Sequence, residues 1–258
     1  MTSRRTLAPA LAFGLALTAS TACRSAAPAA PPQAPAAPAA VAPATAPHPL
    51  GMAVRWARTS AEHRAVYLQV YRAATAHVER EAAARAAGTW AVVLDADETV
   101  IDNSLYELER AEKNIPFGSD SWREWTARRA ATPLPGAAAF LARARALGGK
   151  IVIVTNRSAA ECADTEAVFR AHSLAYDAML CKPDGGPSDK GPRFEAVARG
   201  TTPGGLPPLE VVAFVGDNIQ DFPGLSQAVR KEADEAFAPF GARFFVLPNP
   251  MYGSWERN

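Results

Sequence analysis

Trp90-Ala91-Val92-Val93-Leu94-Asp95-Ala96-Asp97-Glu98-Thr99 is the segment on which the reading of this chain turns. Five apolar residues rich in valine fit a strand buried on both faces, and the acidic residues that follow fit the loop leaving its carboxyl end. Similar apolar runs recur at Ile151–Val154, Val211–Val215 and Phe244–Leu247. Between them, helical stretches are expected at 136–147 (closed by Gly148-Gly149), 158–172, 192–199 and 225–237. Strand and helix in alternation predict an α/β fold with a doubly wound, mostly parallel sheet.

Two segments stand outside that alternation. Residues 103–135 carry Trp122, Trp125 and many charges, and are expected as a small helical cap over the strand ends. Thr59 to Glu62 has capping-box spacing and opens a stretch with apolar residues at helical intervals through Ala87, before Gly88. A long amphipathic N-terminal helix is predicted there, with His63 and His77 as solvated positions on it.

At 258 residues and 48% hydrophobic, the chain can bury one full core over residues 51–258. A net charge of +1, from 27 basic and 26 acidic residues spread throughout, gives no electrostatic reason for a nucleic-acid polymer as partner. Residues 1–22 read as an export signal: Arg4-Arg5 precede an apolar stretch ending in Ser20-Thr21-Ala22-Cys23. The last four residues suggest lipid attachment at Cys23, and thus membrane anchoring. Residues 23–50 form an Ala/Pro-rich tract with too little large apolar surface to fold, expected as a tether. The expected location is the outer membrane, as a lipoprotein, or the periplasm. Cys162 and Cys181 are as well suited to pairing in an oxidising compartment as to remaining buried thiols, and a homodimer is compatible with the composition.

Four polar clusters follow successive apolar runs: Asp95 to Thr99, Thr155-Asn156-Arg157, Lys190, and Gly216-Asp217-Asn218 with Asp221. Open parallel sheets gather ligands beyond the carboxyl ends of their strands, so these distant positions can meet. Asp95 is the candidate nucleophile on phosphorus. Asp97, two residues on, is placed to protonate the leaving group and then activate water. If Asp95 and Asp217 approach within about 4 Å, their repulsion is on the order of 4 kcal/mol at an effective dielectric near 20. A divalent cation between them is expected, and an all-oxygen site suits Mg2+. The expected ligands are Asp95, the Asp97 main-chain carbonyl and Asp217, with Asp221 orienting a bound water. Thr155 and Asn156 are candidate hydrogen-bond donors to phosphoryl oxygens, and Lys190 a candidate positive charge against them. Lys182 remains a rival for that lysine role.

These residues resemble those of the haloacid dehalogenase superfamily and, within it, the class C acid phosphatases, which include bacterial outer-membrane lipoprotein phosphatases. The likeness runs from about Trp56 to Trp255. Besides the four clusters it includes Asp102-Asn103-Ser104, Pro135-Gly136-Ala137 and the tail Leu247-Pro248-Asn249-Pro250-Met251-Tyr252-Gly253-Ser254-Trp255. The resemblance implies phosphorylation of Asp95, magnesium as cofactor and broad substrates, with 5'-nucleotides and nicotinamide mononucleotide among them. It also implies that Trp122 and Tyr252 stack on a base or aromatic leaving group. Ala96 departs from the family's commoner leucine.

The function expected is therefore a magnesium-dependent acid phosphatase acting on small phosphomonoesters, 5'-nucleotides or aromatic phosphates. A phosphotransferase would use the same residues. A catalytically silent exported binding protein would need no nucleophile, and dehalogenation would need no proton donor at Asp97.

Overall fold

A computed structural model describes residues 51–257. The export signal, the tether and Cys23 lie outside the described residues. Two helices open the described chain, α1 (Met52–Thr59) and α2 (Ala61–Ala82). They are separated at Ser60, whose side chain accepts a hydrogen bond from the His63 amide and so caps α2. The cap thus falls one residue after the expected Thr59, whose hydroxyl instead donates back to the Arg55 carbonyl.

Five parallel strands form the main sheet: β1 (Trp90–Leu94), β4 (Lys150–Ser158), β5 (Ala178–Lys182), β6 (Glu210–Gly216) and β7 (Phe244–Val246). Their order is β5-β4-β1-β6-β7. The chain leaves β1 toward β4 on one side and later reaches β6 on the other, so the direction of winding reverses at the carboxyl end of β1. Such a switch point opens a crevice between the loops, and Asp95 follows β1 directly into it. Helices α5 (Ala137–Ala146), α6 (Cys162–Ala171) and α7 (Gly191–Arg199) connect the strands.

Side chains of β1 alternate between two cores. Trp90, Val92 and Leu94 pack with Tyr67 and Tyr71 of α2, Phe140 of α5 and Phe169 of α6. Ala91 and Val93 pack on the opposite face with Phe194 and Val197 of α7 and with Phe222 and Phe244. Burial on both faces explains why these strands read as unbroken apolar runs.

The cap is built from β2 (Ile101–Asp102), α3 (Ser104–Lys113), α4 (Ser119–Arg128) and β3 (Thr132–Pro133), with β2 and β3 pairing antiparallel at its base. These elements run from Ile101 to Pro133.

Three expectations change. His63 and His77 are buried rather than solvated. They fall on the same face of α2 as Tyr67, Tyr71, Ala74 and Val78, the face turned to the sheet. His77 Nε2 meets the Val212 carbonyl at 2.9 Å, and the His63 ring lies against Tyr67 and Trp56. Second, residues 225–237 form two short 3₁₀ turns, Gln227–Lys231 and Asp234–Phe237, instead of one helix. Neither turn has a buried residue, and a helix without an apolar face to pack loses most of what stabilises it. Third, β5 was not expected; it is a short edge strand in which only Ala178 and Leu180 are buried.

Candidate active site

Asp95, Asp217 and Asp221 each offer a carboxylate oxygen, and those atoms lie within 4.8 Å of one another. They arrive from two directions. Asp95 leaves β1, while Asp217 and Asp221 follow β6, its hydrogen-bonded neighbour. The Asp95 amide donates to the Val215 carbonyl at 3.0 Å, which keeps the two strand ends level. Asp221 sits in a 3₁₀ turn (Ile219–Asp221), where the Asn218 amide donates to its Oδ2 at 2.9 Å. Gly216 makes that turn feasible: a Cβ there would lie 2.3 Å from the Asp221 Cβ.

Lys190, at the start of α7, is the lysine that reaches this cluster. Its Nζ donates to Asp95 Oδ1 at 2.6 Å and to Asp221 Oδ1 at 2.7 Å, and its side chain is 3% exposed. Lys182 lies at the far end of β5, beside Ser158. Asp217 is held by the Thr99 hydroxyl at 3.2 Å and the Asn249 amide at 2.9 Å.

Burial pushes the Asp95 carboxyl up to about 7, with Lys190 opposing and Asp221 and Asp97 adding to the rise. Burial, then Asp221 and Asp95, raise Asp217 well above the usual carboxylate range. Lys190 is raised despite its burial, because Asp221 and Asp95 favour its charge. Fully ionised, the three carboxyls would exceed the one hydrogen-bonded ammonium by two negative charges, an excess that burial opposes. An all-oxygen donor set with that excess fits a divalent cation of the magnesium type. Asp95, Asp217 and Asp221 are the side chains that would hold it.

Asp97 belongs to a second group, built around the buried Arg157. Arg157, on β4, donates through Nε to Asp97 Oδ1 at 2.9 Å and through Nη2 to the same oxygen at 2.8 Å. Asn103 adds a third donor to Oδ1 at 2.8 Å, and Trp125 Nε1 donates to Asn103 Oδ1 at 2.8 Å. The loop carrying these groups turns through Glu98, whose φ of 47° lies in the left-handed region. Two tyrosines of α2 pin it: the Tyr67 hydroxyl donates to the Glu98 carbonyl at 2.6 Å and that of Tyr71 to the Thr99 carbonyl at 2.7 Å.

Thr155 and Asn156 differ in placement. Thr155 is fully buried, with its hydroxyl accepting from the Arg157 amide at 3.1 Å. Asn156 faces the crevice, its Oδ1 held by Arg193 Nη2 at 2.6 Å, which leaves its NH2 toward the cavity. Trp122 of α4 and Tyr252 of the tail line the same cavity of about 420 Å³ as Asp95, Asp97 and Lys190. Tyr106 and Phe117 stand edge-on and tilted against Trp122, at 5.2 and 6.2 Å between ring centres.

Cys162 and Cys181 form a disulfide between the start of α6 and β5. It ties the β4–α6 turn to the strand leading toward Lys190.

Sequence reasoning gave no role to Arg157, Asn103, Arg193, Asn249, Tyr67 or Tyr71. One signal was available for Arg157. Period-two alternation puts it on the same side of β4 as Thr155, and a buried arginine needs an acidic partner.

A parallel sheet with an acidic crevice at its switch point, roofed by a helical cap, is the architecture of a phosphohydrolase of the haloacid dehalogenase type. The sequence model of the HAD superfamily, subfamily IIIB (acid phosphatase), matches residues 12–255, and the chain belongs to that family. It is a phosphomonoester hydrolase. Among solved structures, it resembles the class C acid phosphatase from Bacillus anthracis with 29% identity and a TM-score of 0.69, over 80% of this chain and 85% of that one. The form of that enzyme with tungstate bound matches at 28% identity, with the same TM-score and coverage.

Proposed function

We propose that the chain is an exported, magnesium-dependent acid phosphatase that hydrolyses small phosphomonoesters through an aspartyl phosphate on Asp95. The observation that carries this reading is the meeting of Asp95, Asp217, Asp221 and Lys190 at one crevice floor, beside a separately held Asp97. A binding protein would need no carboxylate placed to attack phosphorus.

The steps assigned to the residues balance as follows. A carboxylate oxygen of Asp95 forms a bond to phosphorus while the bond to the leaving oxygen breaks, and the Asp97 carboxyl gives that oxygen its proton. Ionised Asp97 then takes a proton from water, whose oxygen attacks phosphorus and displaces Asp95 as carboxylate, releasing phosphate. Lys190 and the Asn156 amide face the phosphoryl oxygens and favour the charge gathering on them. Thr155, whose side chain is buried behind the crevice, supports this loop from beneath. Magnesium, when bound, would neutralise the carboxylates and phosphoryl oxygens as a Lewis acid.

The tungstate carried by the Bacillus anthracis relative supports an oxyanion site, since tungstate is tetrahedral like phosphate. Trp122 and Tyr252 at the cavity support flat leaving groups, aromatic phosphates or 5'-nucleotides. The disulfide agrees with an oxidising compartment, and the signal and Cys23 support the periplasm or an outer-membrane anchor. No helix among the described residues is long and apolar enough to cross a membrane.

The experiment is phosphate release with added magnesium from Asp95→Asn. Activity should fall to background. Undiminished turnover would remove the covalent mechanism. Adding an alcohol acceptor to the wild type, and looking for its phosphorylated product, tests the phosphotransferase alternative.

A further inference from the structure

The Arg157 guanidinium is 1% exposed and binds four groups that belong to different parts of the fold. Besides the two bonds to Asp97 Oδ1, its Nη2 donates to Asn103 Oδ1 at 3.0 Å and its Nη1 to the Thr165 hydroxyl at 3.2 Å. Its Cζ lies 5.3 Å from the centre of the Trp122 ring, a cation–π contact. One planar group therefore joins β4, the β1 loop, α6 and the cap.

The two oxygens of Asp97 are treated unequally. Oδ1 accepts from Arg157 Nε, Arg157 Nη2 and Asn103 Nδ2, which saturates its acceptor capacity. Oδ2 takes only a long contact of 3.2 Å from Arg157 Nε. An oxygen already holding three donors is poorly placed to exchange a proton with a substrate. The other oxygen is free to do so.

We propose that Arg157 is the positioning residue of the acid–base step, fixing the Asp97 carboxyl so that Oδ2 is the oxygen presented to the leaving group. The Trp122 contact ties that orientation to the cap, so the ring expected against the leaving group rests on the group that aims the acid. This rests on the proposed role of Asp97. Lysine cannot replace arginine here, because a point ammonium cannot make the forked contact and also lie flat against the ring.

Leaving-group dependence tests it, since a displaced acid matters for a poor leaving group and little for a good one. We would measure kcat/KM, which reports the steps through departure of the leaving group and not the later attack of water, for a nucleoside 5'-monophosphate, whose leaving group is an alkoxide, and for p-nitrophenyl phosphate, in Asp97→Asn, Arg157→Met, Arg157→Lys and Asp97→Asn/Arg157→Met. A misaimed group commonly costs about 10²-fold. Arg157→Met should lose about that on the nucleotide and several-fold less on p-nitrophenyl phosphate. The double variant should lose no more than Asp97→Asn alone, because both remove one function. Should Arg157→Met fail to fold, as a thermal melt would reveal, Arg157→Lys must show the same substrate-dependent loss. Equal losses on the two substrates, or losses that multiply in the double variant, overturn the proposal. If Asp97→Asn itself lost equally on both, the role of Asp97 would be at fault; a substrate-dependent Asp97→Asn beside a uniform Arg157 variant would sink this inference alone.

Discussion

Replacing Gly216 with alanine should disable the crevice through a single methyl group. The added Cβ would lie 2.3 Å from the Asp221 Cβ and 2.4 Å from its Oδ2, whereas ordinary contact begins at 3.4 Å. Asp221 must therefore retreat by about 1 Å, and it is anchored on both sides. One oxygen accepts from Lys190 at 2.7 Å and the other from the Asn218 amide at 2.9 Å, so a shift of that size breaks at least one bond. Lys190 would then lose one of the two carboxylates that hold it beside Asp95. Overpacking of this kind costs about 1–3 kcal/mol of stability, and a misplacement of about 1 Å at a reacting centre can cost about 10²-fold in rate. Phosphate release from p-nitrophenyl phosphate across a magnesium titration is the assay, with Gly118→Ala as control, since its Cβ would meet nothing closer than 3.6 Å. Gly216→Ala should lose about 10²-fold in kcat/KM and require more magnesium. Wild-type kcat/KM at unchanged magnesium would refute the argument that Asp221 must stay where Gly216 lets it sit.

Tyr71→Phe removes the donor to the buried Thr99 carbonyl and should cost about 1–3 kcal/mol in urea unfolding; no change would mean that water replaces it. Reduction of the Cys162–Cys181 bond, with a sequence separation of 19, should lower stability by about 3 kcal/mol, read as a lower melting temperature in reductant. The Cys162→Ala/Cys181→Ala variant should melt at that lower temperature whether or not reductant is present. Burial lowers His63 below its ordinary value of 6.5, with Asp102 opposing. The folded state then binds fewer protons at this position than the unfolded chain, so its stability is full above 6.5 and declines as pH falls through that value. His63→Gln should flatten that part of the stability profile, and an unchanged slope would contradict the assignment. Trp122→Ala should lose more catalytic efficiency on a nucleoside monophosphate than on a small aliphatic phosphate; equal losses would remove stacking as its role.

The parts of the fold legible in the sequence were those with strong local patterns. The central strands β1, β4 and β6 are buried on both faces, so their composition announces them without knowledge of their neighbours. Strand β5 escaped because an edge strand of five residues has fewer buried positions to mark it. The 225–237 segment was misread for the converse reason: its residue types favour a helix, but neither of its two turns buries a residue. The histidines of α2 were misjudged because which face of a long helix is covered depends on where the sheet lies.

The candidate site divides along the same line. Asp95, Asp97, Asp217 and Asp221 could be chosen from their sequence positions, because each follows a strand-like run and strand ends in a parallel sheet share one edge. Their chain order therefore carried the expected chemistry. The choice between Lys190 and Lys182 could not be made that way. It depended on which ammonium comes within reach of two carboxylates, a distance set by the path of residues 183–190 and the start of α7. The pairing of Cys162 with Cys181, the fork of Arg157 on Asp97 and the two tyrosine hydroxyls beneath the loop were also decided only in three dimensions. Local patterns report burial and periodicity along the chain, whereas these contacts join groups up to 95 residues apart and exist only once the sheet has set its register.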